Sequence, residues 1–154
     1  MAGVVGTHLV AQVGFIVRDV EASKRKWAEF LGVEVPPTQS IGDYAVTGTT
    51  FQGEPAPNAY CWMEFFDVGP GMQLELIQPN EEPSTWRNYL NEHGEGMHHI
   101  AFQVVDSAKQ VANAEAAGLK LVQHGVYGDG SGEYNYLDAP ELNCIVELLE
   151  SYAK

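Results

Sequence analysis

Four polar residues interrupt segments that are otherwise typical of buried β-strands. They are Gln12, Glu75, His99 and Glu147, and each carries an oxygen or nitrogen atom that can bind a metal ion. His99 lies 87 residues after Gln12, and Glu147 lies 72 residues after Glu75. Polar groups placed in buried strands need a compensating partner, so a shared metal ion is one explanation for all four.

The spacing of these residues belongs to a longer internal repeat. Residues 98–106 (HHIAFQVVD) resemble residues 11–19 (AQVGFIVRD), and residues 145–149 (IVELL) resemble residues 73–77 (QLELI). Because internal repeats set architecture, the chain is predicted to contain two copies of one small module.

The pattern of apolar residues predicts the same order of elements, β-α-β-β-β, in both modules. In the first, Asp19 is a predicted N-cap and Gly32 a C-terminal stop for a helix over 20–31. The predicted strands are 9–17, 44–51, 60–68 and 72–78, with a loop over 53–58 and a hairpin turn at 69–71.

The second module follows a short helix that Ser84 is predicted to cap and that extends to about Glu92. Its predicted elements are a helix over 107–117 and strands over 97–105, 119–123, 133–137 and 142–149. These patterns predict an α+β fold of two paired βαβββ modules, residues 8–79 and residues 80–150, that together form one domain.

Side chains alternate across a strand, which places each polar residue on a defined face. If the modules pair with approximate two-fold symmetry, Gln12, Glu75, His99 and Glu147 converge on one point. One imidazole, one amide and two carboxylates suit Zn²⁺, Ni²⁺, Co²⁺, Mn²⁺ or Fe²⁺. The same alternation sends His98 to the opposite face, where its role is structural.

Other residues are weaker candidates for a pocket. Cys61 and Cys144 are interpreted as packing residues, and residues 128–132 (GDGSG) as a flexible turn or lid. His124 follows a strand and is able to enter the cavity. The other candidate pocket residues are Tyr44, Trp62, Glu64, Tyr134 and Tyr136.

Composition narrows the class of protein. The net charge of −13 argues against nucleic acid and anionic membrane surfaces as partners. No apolar run has the ~18–20 residues of a membrane span, and the first ten residues do not resemble a signal peptide. Two cysteines do not make a disulfide framework, so a cytoplasmic protein is expected.

Four motifs resemble the vicinal oxygen chelate superfamily, which includes glyoxalase I and methylmalonyl-CoA epimerase. They are AQVGFIVRDVEASKRKWAEFLGVEV, QLELIQP, GEGMHHIAFQVVD and IVELLE. The resemblance implies a cupped, barrel-like sheet around one divalent metal held by Gln12, Glu75, His99 and Glu147. It also implies a small carbonyl substrate and a homodimer, and leaves open whether one chain completes the metal site.

The resemblance implies a metal-dependent isomerase, epimerase or lyase that removes a proton next to a carbonyl. Glu147 is the first candidate for the base and Glu75 the second, followed by Glu64 and His124. Ile16 and Pro79 stand where glyoxalase I has an Arg and an Asn, and the segment 44–58 lacks the acidic segment of the epimerase. The alternatives are a metal-free binding protein of the bleomycin-resistance type and, disfavoured by Gln12, an Fe(II) dioxygenase.

Overall fold

The computed structural model describes residues 2–153, and the strands among them form a single sheet. The strands are β1 (Val10–Ile16), β2 (Gln39–Ser40), β3 (Thr50–Phe51), β4 (Glu54–Pro55), β5 (Cys61–Gly69), β6 (Met72–Pro79), β7 (Gly96–Gln103), β8 (Lys120–Val126), β9 (Gly132–Ala139) and β10 (Cys144–Ser151). The helices are α1 (Val20–Leu31), α2 (Tyr44–Thr47), α3 (Thr85–His93) and α4 (Ser107–Ala116), with a 3-10 turn at Pro140–Leu142.

The sheet has the strand order β2-β5-β6-β1-β7-β10-β9-β8-β3-β4. Strands β2, β5, β6 and β1, here called the first half, mirror β8, β9, β10 and β7, called the second half. The halves meet where β1 pairs antiparallel with β7. On their other sides, β1 pairs in parallel with β6, and β7 pairs in parallel with β10. The predicted α+β fold with a cupped mixed sheet is therefore confirmed.

The first helix begins and ends as its sequence predicts. The Asp19 side chain accepts a hydrogen bond from the backbone N–H of Ala22, and Gly32 ends α1 in the left-handed conformation. The apolar face of α1 places Val20 and Ala28 in a cluster with Leu76 of β6. This packing covers the outer face of the first half.

The predicted strand over residues 44–51 is wrong. The Asp43 side chain caps the backbone N–H of Ala45, and Gly48 ends the short helix α2 in the left-handed conformation. Only β3 follows as a strand, in a small hairpin with β4 that pairs with β8. A segment between two strands of the first half therefore extends the edge of the second half.

The linking helix α3 is built as predicted and lies against the cup. The Ser84 hydroxyl accepts a hydrogen bond from the backbone N–H of Arg87, which satisfies one free donor of the first turn. Trp86 is fully buried and donates its indole N–H to the Tyr136 hydroxyl at 3.0 Å. In residues 2–153 there is no helix with both the length and the apolar character needed to cross a membrane.

Candidate metal centre

The predicted donors meet around one nitrogen atom of His99. Its Nε2 atom lies 2.9 Å from Gln12 Oε1, 2.9 Å from Glu147 Oε2 and 3.4 Å from Glu75 Oε1. All of these residues are buried. The structure therefore brings together all four predicted metal ligands, and one chain supplies all of them.

Strand register explains the convergence. In the first half, Gln12 pairs with Gln73, so Glu75 lies two residues further along β6 on the same face. In the second half, His99 pairs with Ile145, and Glu147 again lies two residues further along β10. The identical offset places the two carboxylates symmetrically about the β1–β7 seam.

Gly14 makes room for the His99 ring, a function that we did not assign from the sequence. Gly14 pairs with His99 across the β1–β7 seam. A Cβ atom at position 14 would lie 2.0 Å from His99 Cε1. The available signal was a glycine inside a strand, which often marks a close approach of another group.

The expectation that His98 points to the opposite face is wrong. The partners of Gly14 and Phe15 on β7 are His99 and Met97, so His98 is the extra residue of a β-bulge. The bulge brings the Nδ1 atoms of His98 and His99 to 2.9 Å. Both rings also contact the Tyr136 ring, with centroids 5.2 and 5.3 Å away.

Burial dominates the electrostatics of the cluster. Burial raises the pKa of Glu75 to about 8, and the Glu147 carboxylate adds to the rise while His99 opposes it. Burial alone would lower the pKa of His99, but the negative charges of Glu147 and Glu75 raise it overall. Burial, and then the positive charge of His99, hold the pKa of His98 well below its usual range.

The donor set fits a divalent metal ion. Glu75 Oε1 and Glu147 Oε2 are buried, and their only close polar partner is His99 Nε2, which they share. Glu75, His99 and Glu147 offer ligand atoms that all lie within 4.8 Å of one another. One nitrogen and three oxygens suit a transition metal, and a cation would compensate the two orphaned oxygens.

Gln12, Glu75 and Glu147 line a cavity of about 610 Å³, and His99 lies buried behind them. Tyr134 and Tyr136 line it as predicted, together with Trp86 and Tyr127, which we did not single out from the sequence. Further lining residues come from two segments that approach each other: residues 39–42, which are β2 and the start of the following loop, and the loop 127–131. A Cβ atom on Gly42 would lie 2.6 Å from Gly128 Cα, so the loops are in close contact and the predicted lid segment borders the cavity.

Several predicted pocket residues lie elsewhere. Tyr44, Trp62, Glu64 and His124 are not among the residues that line the cavity. Glu64 is buried, and burial raises its pKa, although the hydrogen bond that its Oε1 accepts from the backbone N–H of Phe65 and the charge of Lys24 oppose the rise. His124 Nδ1 lies 2.8 Å from Asn135 Oδ1. Neither residue is placed to act as the alternative base.

Comparisons with known proteins agree with this architecture. A curated relative, ethylmalonyl-CoA/methylmalonyl-CoA epimerase from Cereibacter sphaeroides, is 26% identical over 140 residues, which are 88% of this chain and 92% of the relative. The crystal structure of methylmalonyl-CoA epimerase from Mycobacterium tuberculosis superposes with a TM-score of 0.68 at 20% identity, covering 99% of this chain and 93% of that one. Methylmalonyl-CoA epimerase from Streptomyces coelicolor, in complex with 2-nitronate-propionyl-CoA, gives 0.65 at 22% identity, with coverage of 94% and 97%.

The family comparison covers most of the site. The profile of the Glyoxalase/Bleomycin resistance protein/Dioxygenase superfamily matches residues 11–136. This range includes Gln12, Glu75 and His99 and ends before Glu147 on β10. The chain belongs to the glyoxalase/bleomycin resistance protein/dioxygenase superfamily.

Proposed function

We propose that this protein is a divalent-metal enzyme that moves a proton at a carbon atom next to a carbonyl group, as an epimerase or isomerase does. One observation carries the proposal: three buried oxygen donors from both halves, Gln12, Glu75 and Glu147, surround His99 Nε2 beside a cavity, and their two carboxylate oxygens have no partner other than this His99 nitrogen. Two buried carboxylates that share one imidazole form a cluster whose negative charge a divalent cation would balance.

Gln12, Glu75, His99 and Glu147 would hold the metal ion. When bound, the ion would supply positive charge that stabilises the negative charge developing on the substrate oxygen. Glu147 is the proposed base, and its carboxylate accepts the proton from the carbon next to the carbonyl. Glu75 comes from the other half and is the candidate that returns a proton to the opposite face during epimerisation.

A malonyl-type acyl-CoA thioester is the first substrate to test, because the curated relative is named as an epimerase of ethylmalonyl-CoA and methylmalonyl-CoA. Within residues 2–153, no Lys or Arg side chain lines the cavity. The phosphates of coenzyme A would therefore remain outside it, and only the acyl end would reach Glu147.

The second candidate is a glyoxalase-type reaction, an isomerisation that belongs formally to the lyase class of enzymes. The segment 39–42 lines the cavity without supplying a carboxylate, and Glu54, the one acidic residue in 44–58, is exposed on β4. Apart from Glu75 and Glu147, Asp129 is the one carboxylate that the described residues place in the lining, and it accepts the backbone N–H of Ser131. Both catalytic carboxylates would then be metal ligands, which favours an α-hydroxy ketone or hemithioacetal as substrate.

The test combines elemental analysis with an exchange assay. The purified protein should contain one divalent metal ion per chain, and it should catalyse exchange of the substrate α-proton in D₂O. The panel contains methylmalonyl-CoA, hemithioacetals and α-hydroxy ketones, each with the metal-stripped protein as control. Tight ligand binding without metal would favour a sequestering protein, and Fe(II)-dependent uptake of O₂ would favour an oxygenase.

A further inference from the structure

The contact between His98 and His99 has a defined direction once His99 Nε2 serves as a ligand. Their Nδ1 atoms are 2.9 Å apart, so one of them must carry the hydrogen and the other must accept it. An imidazole that binds a metal through Nε2 uses the lone pair of that atom. Its single hydrogen is then on Nδ1, and His99 is the donor.

We infer that His98 is a positioning residue for the metal ligand: its Nδ1 accepts the Nδ1–H of His99 and thereby holds the Nε2 lone pair of His99 toward the metal position. The inference rests on the proposed metal site. The remaining hydrogen of His98 is then on Nε2, a buried atom that has no close hydrogen-bond partner among the described residues.

The fold holds the acceptor ring in place from two sides. His98 is the extra residue of the bulge in β7, which turns its ring toward His99 instead of away from it. The rings of Tyr89 and Tyr136 meet the His98 ring edge to face, with centroids 5.5 and 5.2 Å away. Because His98 is almost completely buried, no solvent molecule competes directly for its Nδ1.

The neutral acceptor suits the charge of this site. Metal-bound histidines commonly donate to a carboxylate or a backbone carbonyl. Here Glu75 and Glu147 already supply two negative charges, enough to neutralise a divalent ion. A third buried carboxylate would be left uncompensated, whereas an imidazole fixes the orientation of His99 without adding charge.

The test compares two substitutions at the same position. His98→Leu removes the acceptor, and His98→Asn places a carboxamide oxygen near the position of Nδ1. Zinc dissociation constants are measured by competition with a chromophoric chelator, and the thermal midpoint of each metal-free variant is recorded separately. We expect His98→Leu to weaken zinc binding by roughly 10–100-fold, as for other outer ligand partners, and His98→Asn to restore most of it.

Tyr89→Leu is the matched control, because it removes packing on His98 and leaves the bond between the imidazoles. A packing role alone would make Tyr89→Leu and His98→Leu weaken zinc binding equally, and that result would overturn the inference. Zinc binding by His98→Leu at wild-type strength would overturn it as well. A wild-type protein that binds no zinc or cobalt would instead overturn the proposed metal site itself, and this inference with it.

Nitrogen NMR of the zinc-loaded wild-type protein tests the inference without any substitution. Histidine labelled with ¹⁵N should show His99 protonated at Nδ1 and His98 protonated at Nε2 only. This readout keeps the test valid if His98→Leu does not fold. A His98 ring protonated at Nδ1 would reverse the direction of the hydrogen bond and exclude the proposed role.

Discussion

Each half of the sheet has a β-bulge immediately before its first metal-binding residue, which is Gln12 in the first half and His99 in the second. The residue in the bulge differs between the halves. Ala11 is the extra residue of a bulge in β1 immediately before Gln12, and His98 is the extra residue in β7 immediately before His99. The bulges lie 87 residues apart, which is the repeat offset. An amide presents its oxygen unaided, whereas an imidazole needs its tautomer fixed, so only the second half requires a polar residue there.

The carboxylates of the two halves also differ, despite identical register. Glu147 Oε2 lies 2.9 Å from His99 Nε2, and Glu75 Oε1 lies 3.4 Å from the same atom. Burial raises the pKa of Glu75 to about 8, so in the metal-free protein this side chain holds its proton at neutral pH. Glu75 is therefore suited to returning a proton, and substitutions at the two equivalent positions should have unequal effects.

The largest expected difference between the halves is in catalysis. Glu147→Gln keeps an oxygen ligand but removes the proton acceptor, so α-proton exchange in D₂O should fall by roughly 10²–10⁴-fold while metal content largely survives. Glu75→Gln changes the charge by the same amount and should reduce exchange less. If Glu75→Gln is the more damaging at equal metal occupancy, the roles of the two carboxylates are reversed.

The next difference is in the metal affinity that is lost when the first metal-binding residue of each half, Gln12 or His99, is replaced. His99→Ala removes the only nitrogen ligand and should reduce metal affinity by more than the ~10–100-fold typical of outer partners. Gln12→Ala removes a neutral oxygen that water can replace, so its loss should be smaller. Chelator competition measures the loss of metal affinity in each variant. Equal losses would show that the amide and the imidazole contribute equally to metal binding.

The donor set was predictable because it depends on simple periodicity. The repeat pairs Gln12 with His99 and Glu75 with Glu147, and alternation along a strand places each on one face. The structure places them together, with each carboxylate two residues beyond the partner of the first donor. The division of the chain at residues 79 and 80 remains a prediction.

The irregular features were not predictable from the same periodicity. A bulge depends on the register of two strands distant in sequence, and neither Ala11 nor His98 carries a local signal for one. In the segment 44–51, β-branched and aromatic residues indicated a strand, but the cap at Asp43 and the stop at Gly48 define a helix instead. The pairing of β3 with β8 joins opposite halves, which no local pattern specifies.

A third comparison uses the positions that face the donors across the seam. Gly14→Ala would place a methyl group inside the His99 ring, so the ring or β1 must shift. We expect a loss of about 1–3 kcal/mol in the free energy of unfolding, with weaker metal binding.

Ala101 is the equivalent residue of the second half and faces Gln12. Ala101→Gly should cost only about 0.5–1 kcal/mol and retain the metal. Denaturant unfolding measures both, and a wild-type-like Gly14→Ala would show that the seam is not tight.

The smallest expected effect is a change in the sign of the pH dependence of stability. Between pH 6.5 and about 8 the folded metal-free protein binds more protons than the unfolded chain, because the folded pKa values of Glu75 and His99 are raised. Its free energy of unfolding should therefore fall as pH rises through this window. The lowered pKa of His98 acts in the opposite direction, but only below about pH 6.5, where the unfolded residue takes up its proton.

Metal should reverse this slope. Its ligands bind only when deprotonated, so affinity and the stabilisation that follows from it increase with pH. The thermal midpoint with excess zinc should exceed the midpoint with chelator by a margin that widens from pH 6.5 to 8, amounting to a few degrees. In metal-free Glu75→Gln, the free energy of unfolding should depend less on pH, because one of the two groups with a raised pKa is gone. A constant margin across the window would show that the buried carboxylates are not coupled to metal binding.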